Sequence, residues 1–490
     1  MEIQKEKLSP MMQQYFALKE KYPDCVLFFR LGDFYEMFFD DAIRISRELE
    51  LTLTGRDCGL KERAPMCGIP YHSVDMYLKR LVERGYKIAI CEQLTDPATT
   101  KGLVERDVIR IVTPGTLIES NLLEEGANNY LCSLYFEEGG DCGLCFADLS
   151  TGDIIALLPE QKNLEANVID ALSRYTPAEI LMNEDALLLK SVMEFIKIRL
   201  QCVVTMRDAE CFSAERNHDF VCHQFQVPEL SYLQLPETGS ETAAVYGMMD
   251  YIKETQKGRF SEIIKHDADP IMTIGFTARR NLELTETLRG KERKGSLLWL
   301  MNTAKTSMGK RMLKTWIEQP LVQPAKIMAR LDAVEIFVKK SVVLMEVRSI
   351  LDSVYDLERL MTRVLYKTAT PRDLKALATT ARQIPALKAE LEKVADRKLL
   401  ARLLSQISNL DMVADLVDRA IVENPPVSVK DGGVIREGFH QDLDYLRGIM
   451  NGGNQIIEKM EQSERERTGI KGLKIGFNRV FGYYIEVTRS

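Results

Sequence analysis

The chain has 490 residues, and its 65 Lys and Arg against 72 Asp and Glu give a formal net charge of −7. At ~100–200 residues per domain this length predicts several domains, and a composition of 45% hydrophobic and 28% charged residues excludes wholesale disorder. No apolar run approaches the ~18 residues that a membrane helix needs, and the N-terminus lacks the apolar segment of a signal peptide. We therefore predict a cytoplasmic protein that makes no membrane contact.

Residues 1–113 predict a compact mixed α/β unit. The β-rich strand over 26–31 ends at the turn signal Gly32-Asp33, and we expect a helix to begin directly after it. The turn at 113–116 ends the unit and opens a linker over 114–126. In order, the predicted helices cover 9–22, 35–49 and 75–84, and the predicted strands cover 26–31, 86–91 and 108–112.

Residues 127–262 predict a second α/β unit, built on a mixed sheet. Three strands in succession are joined by turn residues, which indicates a meander. Cys142 and Cys145 have the spacing of metal and redox sites, but no second pair accompanies them. We interpret them as strand residues on opposite faces of the sheet. The predicted strands cover 131–136, 143–149, 154–158, 179–182 and 203–206, and the helices cover 164–175 and 241–255.

The remainder of the chain is predicted to be helical except for two final strands. Residues 263–436 show helical periodicity interrupted by prolines. Over 437–467 apolar residues recur in alternating steps of four and three, which predicts one long helix with a narrow apolar seam. Strands over 472–477 and 481–488 follow. Because no helix returns to cover the seam, we expect the unit 437–490 to be cut short and the chain to be the front portion of a longer protein; another helix or subunit is the alternative partner.

No motif in the sequence predicts a catalytic residue or a metal site. The chain contains no Gly-x-x-x-x-Gly-Lys-Ser/Thr, Gly-x-Gly-x-x-Gly or Gly-x-Ser-x-Gly segment. Asp148, near the end of a central strand, is placed like a metal-binding carboxylate of an RNase H-type nuclease, with Asp153 and Glu179 as further acids. No spacing singles these acids out, and capping of a turn is the commoner role. An RNase H-like nuclease is therefore kept as an alternative only.

The segment from Gly32 to Phe39 places four aromatic residues within six positions. At helical spacing Phe34 and Phe38 would share a face, and an aromatic stripe is most often part of a core. Phe34, however, follows the turn directly, at a corner from which a ring can project outward as a wedge. Glu36 could reach the same target with a hydrogen-bonding carboxyl group. The residues alone leave both interpretations open.

Nine short segments form an ordered set that runs from one end of the chain to the other. Among them are Phe29-Arg-Leu-Gly-Asp-Phe-Tyr-Glu36 and Pro65-Met-Cys-Gly-Ile-Pro-Tyr-His72. The set resembles the MutS family of bacterial DNA mismatch repair proteins. The other seven segments are 10–15, 90–93, 110–116, 370–374, 431–435, 464–469 and 481–485.

The resemblance implies a site. Phe34 corresponds to the Phe of the family's Phe-x-Glu motif, which stacks on a mispaired or unpaired base from the minor groove. Glu36 corresponds to the Glu that hydrogen-bonds to that base. A wedge that kinks the duplex detects deformability rather than sequence, because a mismatch lowers the cost of unstacking.

The resemblance also implies a layout of multidomain α/β plus all-α architecture. The family's ATPase domain, with its Walker A loop, is absent from these 490 residues. ATP, Mg²⁺, a MutL-type partner and a homodimer are therefore implied for a complete protein, and no cofactor is predicted for this chain. The implied domains are a mismatch-recognition domain (1–113), an RNase H-like connector without nuclease activity (127–262), a helical core with lever helices (263–436) and a clamp (437–490).

Local charge predicts where the DNA backbone would lie. Basic residues outnumber acidic ones over 465–490, which suits phosphate contacts at the tip of a clamp. We predict a mismatch-recognising DNA-binding protein; besides the nuclease, the alternatives are a MutS-like scaffold that binds DNA junctions and a helical scaffold without DNA affinity. The candidates for phosphate contacts are Arg106, Arg110, Arg465, Arg467, Lys471, Lys474 and Arg479.

Overall fold

The computed structural model describes residues 8–59, 62–95, 102–119, 121–256, 264–265, 271–426, 429–451, 453–478 and 482–487. The chain divides into two compact units. The first comprises Met1–Ala369 and Gln383–Asn409, and the second comprises Thr370–Arg382 and Leu410–Ser490.

The first unit opens with a six-stranded sheet in the order β3-β4-β2-β1-β5-β6. Strand β1 is parallel to β5, and the other neighbouring strands are antiparallel. The elements are α1 (Pro10–Lys21), β1 (Val26–Leu31), β2 (Phe34–Phe38), α2 (Phe39–Leu49), β3 (Thr54–Arg56), β4 (Ala64–Pro70), α3 (Val74–Val82), β5 (Ile88–Gln93) and β6 (Arg106–Val112).

Helices cover both faces of this sheet because β1 is apolar on both sides. Leu27 and Phe29 pack with α1 in one core, and Val26 and Phe28 pack with α2 and α3 in the other. Successive side chains of a strand point to opposite faces, so a nearly continuous apolar run is the expected sequence of a strand buried on both sides.

The helix predicted over 35–49 is wrong at its start, because residues 34–38 form strand β2 and the helix begins at Phe39. Tyr35 and Met37 are buried, whereas Phe34 is exposed and Glu36 is half-buried. This alternation has the two-residue period of a strand. The corner that projects Phe34 is therefore the turn of a β-hairpin and not the junction of a strand with a helix.

A second six-stranded sheet follows, in the order β11-β10-β7-β8-β9-β12. Strands β7, β8 and β9 form the predicted antiparallel meander, and the other three strands join the sheet in parallel. The elements are β7 (Tyr130–Phe136), β8 (Cys142–Asp148), β9 (Asp153–Leu157), α4 (Leu164–Tyr175), β10 (Glu179–Met182), α5 (Lys190–Phe195), β11 (Val203–Met206), α6 (Ala214–Phe225), α7 (Ser240–Thr255) and β12 (Ile264–Lys265).

The two faces of the second sheet bury separate cores. Helix α7 packs on one face, and α4 and α5 pack on the other. Cys145 lies in the core beneath α7 and Cys142 in the core beneath α4, and both are free thiols. This confirms that the two cysteines are strand residues on opposite faces.

Beyond the second sheet the first unit is helical, as predicted. The short strand β12, which pairs with β9, is an exception that the sequence did not reveal. A small core joins Ala333 and Ile336 to Val394 and Leu400. The helices are α8 (Phe276–Asn281), α9 (Leu297–Met301), α10 (Ser307–Glu318), α11 (Pro324–Lys339), α12 (Ser341–Leu351), α13 (Leu357–Leu365), α14 (Pro371–Glu392) and α15 (Lys398–Gln406); the boundary between the units falls within α14.

The second unit packs the first turns of α14 against α16 through small side chains such as Ala378, Ala381 and Ala414. The helix predicted to start at Glu437 begins at Gln441, because Gly438 adopts a left-handed φ of 86° in a turn before it. The predicted long helix corresponds to two described helical segments, one before residue 452 and one after it, and residue 452 lies outside the described residues. The elements are α16 (Asp411–Ala420), α17 (Gln441–Asn451), α18 (Gly453–Thr468), β13 (Leu473–Asn478) and β14 (Gly482–Val487), and the last two pair as a hairpin.

The fold class predicted from the sequence is thus confirmed: mixed α/β domains precede a helical region. Among the residues described, no helix has both the length and the apolar character needed to span a membrane.

Candidate nucleic-acid interface

Phe34 stands at the tip of the β1–β2 hairpin. Gly32 and Asp33 form a two-residue loop between the paired residues Leu31 and Phe34, and Gly32 has a φ of 57°, which a glycine adopts without steric cost. Phe34 is 46% exposed. The other three aromatic residues of this segment pack against further rings, Tyr35 on Phe28 and Phe38 and Phe39 on Tyr15. The fold therefore leaves Phe34 projecting while it buries its neighbours.

Glu36 lies two residues along β2, on the same face as Phe34. Its side chain is only 13% exposed, and its Oε2 accepts a hydrogen bond from Nη1 of Arg56 at 2.5 Å. Arg56 ends β3, which is separated from β2 by β4. The carboxylate beside the Phe34 ring is thus held by a guanidinium from a strand that is not a neighbour of β2.

Gly68 of β4 faces Glu36 directly across the strand pair. A Cβ at this position would lie 3.4 Å from Cγ of Glu36 and 3.9 Å from Cδ1 of Phe34. Those are ordinary contacts, so a side chain at Gly68 would fit the fold but would occupy the space beside the ring. The glycine leaves that space open to a ligand.

The hairpin tip rests on a polar network on the opposite face of the sheet. Nε of Arg30 donates to the Gly32 carbonyl at 2.5 Å, and the Arg30 guanidinium lies 3.8 Å from the centre of the Tyr71 ring. Arg30 also pairs with Glu92 at 3.4 Å, and the Tyr35 hydroxyl donates to the same carboxylate. Burial, assisted by that hydrogen bond, raises the pKa of Tyr35. These contacts fix the backbone that carries Phe34.

Arg106 and Arg110 of β6 have partners within the first unit. Arg106 is 8% exposed; its Nε donates to the Arg30 carbonyl at 2.8 Å, and its Nη1 donates to the carbonyl of Val104 and to Gln14. Burial, with a contribution from nearby Arg56, lowers the pKa of Arg106. Arg110 forms an ion pair with Glu119. Phosphate contacts by either residue stay predictions.

The terminal hairpin presents a different surface. Phe477 of β13 and Tyr483 of β14 form an exposed cross-strand pair with ring centres 5.0 Å apart. Lys471 and Lys474 are exposed nearby. Arg465 donates to the Leu473 carbonyl at 2.7 Å and pairs with Glu461.

Two further residues near this hairpin, Arg467 and Arg479, are predicted to contact phosphates. Arg467 pairs with Glu464 at 2.6 Å, within the last turns of α18. Arg479 lies outside the described residues. Of the predicted phosphate contacts that lie among the described residues, Lys471 and Lys474 are therefore the cations most accessible to a phosphate.

Asp148 caps the turn after β8. Its Oδ1 accepts hydrogen bonds from the backbone N–H and the hydroxyl of Ser150, and its Oδ2 accepts from the side chain of Asn128 and the backbone N–H of Asn129. Glu179 is likewise occupied, by Tyr251, Thr205 and the Gly115 N–H. Within the described part of the chain, no group of three His, Cys, Asp or Glu side chains is placed to hold a metal ion.

Comparison with known proteins shows which family this chain resembles. Three family models match in order: MutS domain I over residues 9–121, MutS domain II over 129–263 and MutS domain III over 277–474. The chain belongs to the MutS family. The Phe34–Glu36 site lies within the part that matches MutS domain I.

Curated MutS proteins match nearly the whole chain. DNA mismatch repair protein MutS of Acetivibrio thermocellus is 45% identical over 491 aligned residues, and those of Ruminiclostridium cellulolyticum and Clostridium tetani are 45% and 44% identical. Each alignment covers 99% of this chain. The chain spans about half the length of these relatives, 54–55%.

The sequence alone predicts Phe34 and Glu36 as site residues of this MutS-family chain, but it does not reveal the residues that contact and support them. Arg56 is 20 positions from Glu36 and two strands away in the sheet. The sequence places Arg30 in the predicted strand over 26–31 and indicates no functional role for it. Arg30 lies near the turn residue Gly32, and its partner Glu92 lies on β5. The two residues can be connected only when β5 is known to be the parallel neighbour of β1.

Proposed function

We propose that this chain binds duplex DNA and recognises mispaired or unpaired bases, with Phe34 as a wedge and Glu36 as a polar contact from the minor-groove side. The observation that carries the proposal is the half-exposed Phe34 beside the Glu36 carboxylate, on a hairpin whose turn is bound by Arg30, in a MutS-family chain. The name of the relatives, DNA mismatch repair protein MutS, supports the same function.

Stacking explains why an aromatic side chain suits this task. Every base has a π-face, so a phenyl ring gains about 1–3 kcal/mol per stacked base with little dependence on sequence. Inserting the ring unstacks a base step and kinks the duplex, which costs a few kcal/mol. A mismatched step is already weakened and lowers that cost, so the wedge selects deformable sites.

The polar partner completes the recognition. A carboxylate accepts hydrogen bonds, and Glu36 stands two strand positions from Phe34, close enough for one base to reach both side chains. The open space beside Gly68 admits the base. We propose that discrimination comes from stacking together with one carboxylate contact, which suits mispairs of differing edge chemistry.

Phosphate contacts would hold the duplex and supply the part of the affinity that does not depend on sequence. We propose Lys471 and Lys474 for this role, since Lys474 is exposed on β13 and Lys471 is exposed in the turn just before it. Arg106, Arg110, Arg465 and Arg467 would first have to exchange the partners described above. ATP, Mg²⁺ and a MutL-type protein are proposed for the complete protein alone, because the Walker A pattern is absent from these 490 residues.

The test is a competition titration with a duplex that contains one G·T mismatch and its fully paired counterpart, on the protein at its native length. Phe34→Ala should lower the preference for the mismatch by about ten- to a hundredfold, the equivalent of the stacking energy. Salt-sensitive binding to both duplexes should remain.

Phe34→Tyr is the matched control, because it keeps an aromatic ring and should keep most of the preference. Glu36→Gln should change discrimination less uniformly between mispairs, since an amide still hydrogen-bonds. Equal discrimination by Phe34→Ala and the unsubstituted protein would refute the wedge.

A further inference from the structure

The ion pair between Glu36 and Arg56 has no role in the packing of either core. The Arg56 side chain is 38% exposed and the Glu36 side chain is 13% exposed, so the pair lies at the surface with its carboxylate end partly covered. It stands beside the wedge on the site that the proposed function uses. A half-buried carboxylate with one guanidinium partner is a group whose orientation that partner sets.

We propose that Arg56 is a positioning residue for mismatch recognition: it orients the Glu36 carboxylate next to Phe34 and balances its charge when a duplex approaches. This inference rests on the proposed function of Phe34 and Glu36. Arg56 Nη1 binds Glu36 Oε2, so Oε1 is the oxygen left to accept a hydrogen bond from a base.

The charge of the duplex gives the pair its purpose. DNA is a dense array of phosphates, and an uncompensated carboxylate at a partly covered contact surface would repel it. With Arg56 in place, the Glu36 site is locally neutral. Two further arginines lie near Arg56 among the described residues. Burial and the charge of Arg56 lower the pKa of Arg106, which donates hydrogen bonds to backbone carbonyls. The Arg63 side chain lies against Gly55, the residue before Arg56.

Among the described residues, the neighbouring strands give the Glu36 carboxylate no second hydrogen-bond donor from a side chain. The residue paired with Glu36 on β1 is Phe29, and the residue paired with it on β4 is Gly68. Neither has a side chain that can donate a hydrogen bond. Orientation of the carboxylate therefore depends on Arg56. This distinguishes a residue that acts through Glu36 from one that binds phosphate itself.

The experiment is a double-mutant cycle of Arg56→Met and Glu36→Gln, read by titration with the G·T duplex and the paired duplex. Arg56→Met alone should weaken binding to the mismatched duplex by about tenfold, the order expected when a charged hydrogen-bond partner is lost. In the Glu36→Gln background the same substitution should cost about twofold or less, because there is no carboxylate left to orient or neutralise.

Two further variants sharpen the cycle. Arg56→Lys keeps the positive charge and should retain most of the mismatch preference, although an ammonium group cannot reproduce the planar geometry of the guanidinium. Arg63→Met removes an exposed arginine from the segment before β4 and should leave the preference unchanged. Denaturation midpoints within error of the unsubstituted protein would show that each variant folds.

The outcomes separate the inference from the proposed function. Arg56→Met could instead lower the affinity by the same factor whether residue 36 is Glu or Gln, weaken binding to both duplexes equally and reduce the salt dependence of binding. Arg56 would then bind phosphate, and the inference would be overturned while the wedge role of Phe34 stands. If Phe34→Ala and Glu36→Gln both keep full discrimination, the proposed function fails, and the positioning role fails with it.

Discussion

Two hairpins of this chain present aromatic side chains to solvent, and they are built in opposite ways. The β1–β2 hairpin lies within a six-stranded sheet, exposes one ring, and has a buried arginine under its turn. The β13–β14 hairpin is a sheet of two strands that exposes both Phe477 and Tyr483. An isolated two-stranded hairpin is only marginally stable in water, and here the contacts of β13 with the end of α18 support it.

Under the proposed function, the two hairpins would make two kinds of DNA contact. A wedge must push against a base stack, so it needs a well-supported backbone, and the Arg30 contacts support the turn of the first hairpin. A surface that follows a phosphate backbone needs exposed cations, and the region of the second hairpin has Lys474 on β13 and Lys471 in the turn before it. The first hairpin should therefore determine selectivity, and the second should determine affinity.

The largest effect on this contrast is expected from Arg30→Met, which removes the support of the first hairpin. The Gly32 carbonyl would lose its 2.5 Å partner and Glu92 would lose its ion pair. Loss of such buried contacts costs about 1–3 kcal/mol. Amide hydrogen exchange within β2 should accelerate by about tenfold or more, and mismatch preference should fall with it.

Arg44→Met is the control for that substitution. Arg44 is also near a tyrosine ring, Tyr86 at 5.1 Å, and a carboxylate, Asp41 at 3.6 Å, but its side chain is 49% exposed. Exchange within β2 should hardly change. Equal acceleration by the two variants would show that the network under the turn has no special role in holding Phe34.

A smaller effect is expected from Lys471→Ala combined with Lys474→Ala. Affinity for the mismatched and the paired duplex should fall together, and the slope of log K against log salt should lose about 0.9 for each phosphate contact removed. Titrations at several salt concentrations measure both quantities. A loss of affinity for the mismatched duplex alone would contradict the division of roles between the hairpins.

The sequence predicted most of the fold because its local signals were strong. The strand over 26–31, the meander of the second sheet and the terminal hairpin each had apolar or alternating runs bounded by turn residues. The error at Tyr35 had a local cause: Phe38 and Phe39 are both apolar and break the alternation, so Phe34 and Phe38 were compatible with a helical stripe.

The support of the site could not be predicted in the same way. Phe34 and Glu36 are two residues apart, so a short motif contains both. Arg56 reaches Glu36 only because β4 places β3 near β2, and Glu92 reaches Arg30 only because β5 is parallel to β1. Such pairs depend on strand order, which local periodicity does not encode.

Photocrosslinking tests the central claim most directly. A duplex with 5-iodouracil at the mispaired position forms a covalent bond, on irradiation, with the aromatic side chain stacked against it, and mass spectrometry of the digested protein identifies the residue. We expect the crosslink at Phe34, and its loss in Phe34→Ala and with a fully paired duplex. A crosslink at Phe477 or Tyr483, retained in Phe34→Ala, would contradict the assignment of base recognition to the first hairpin.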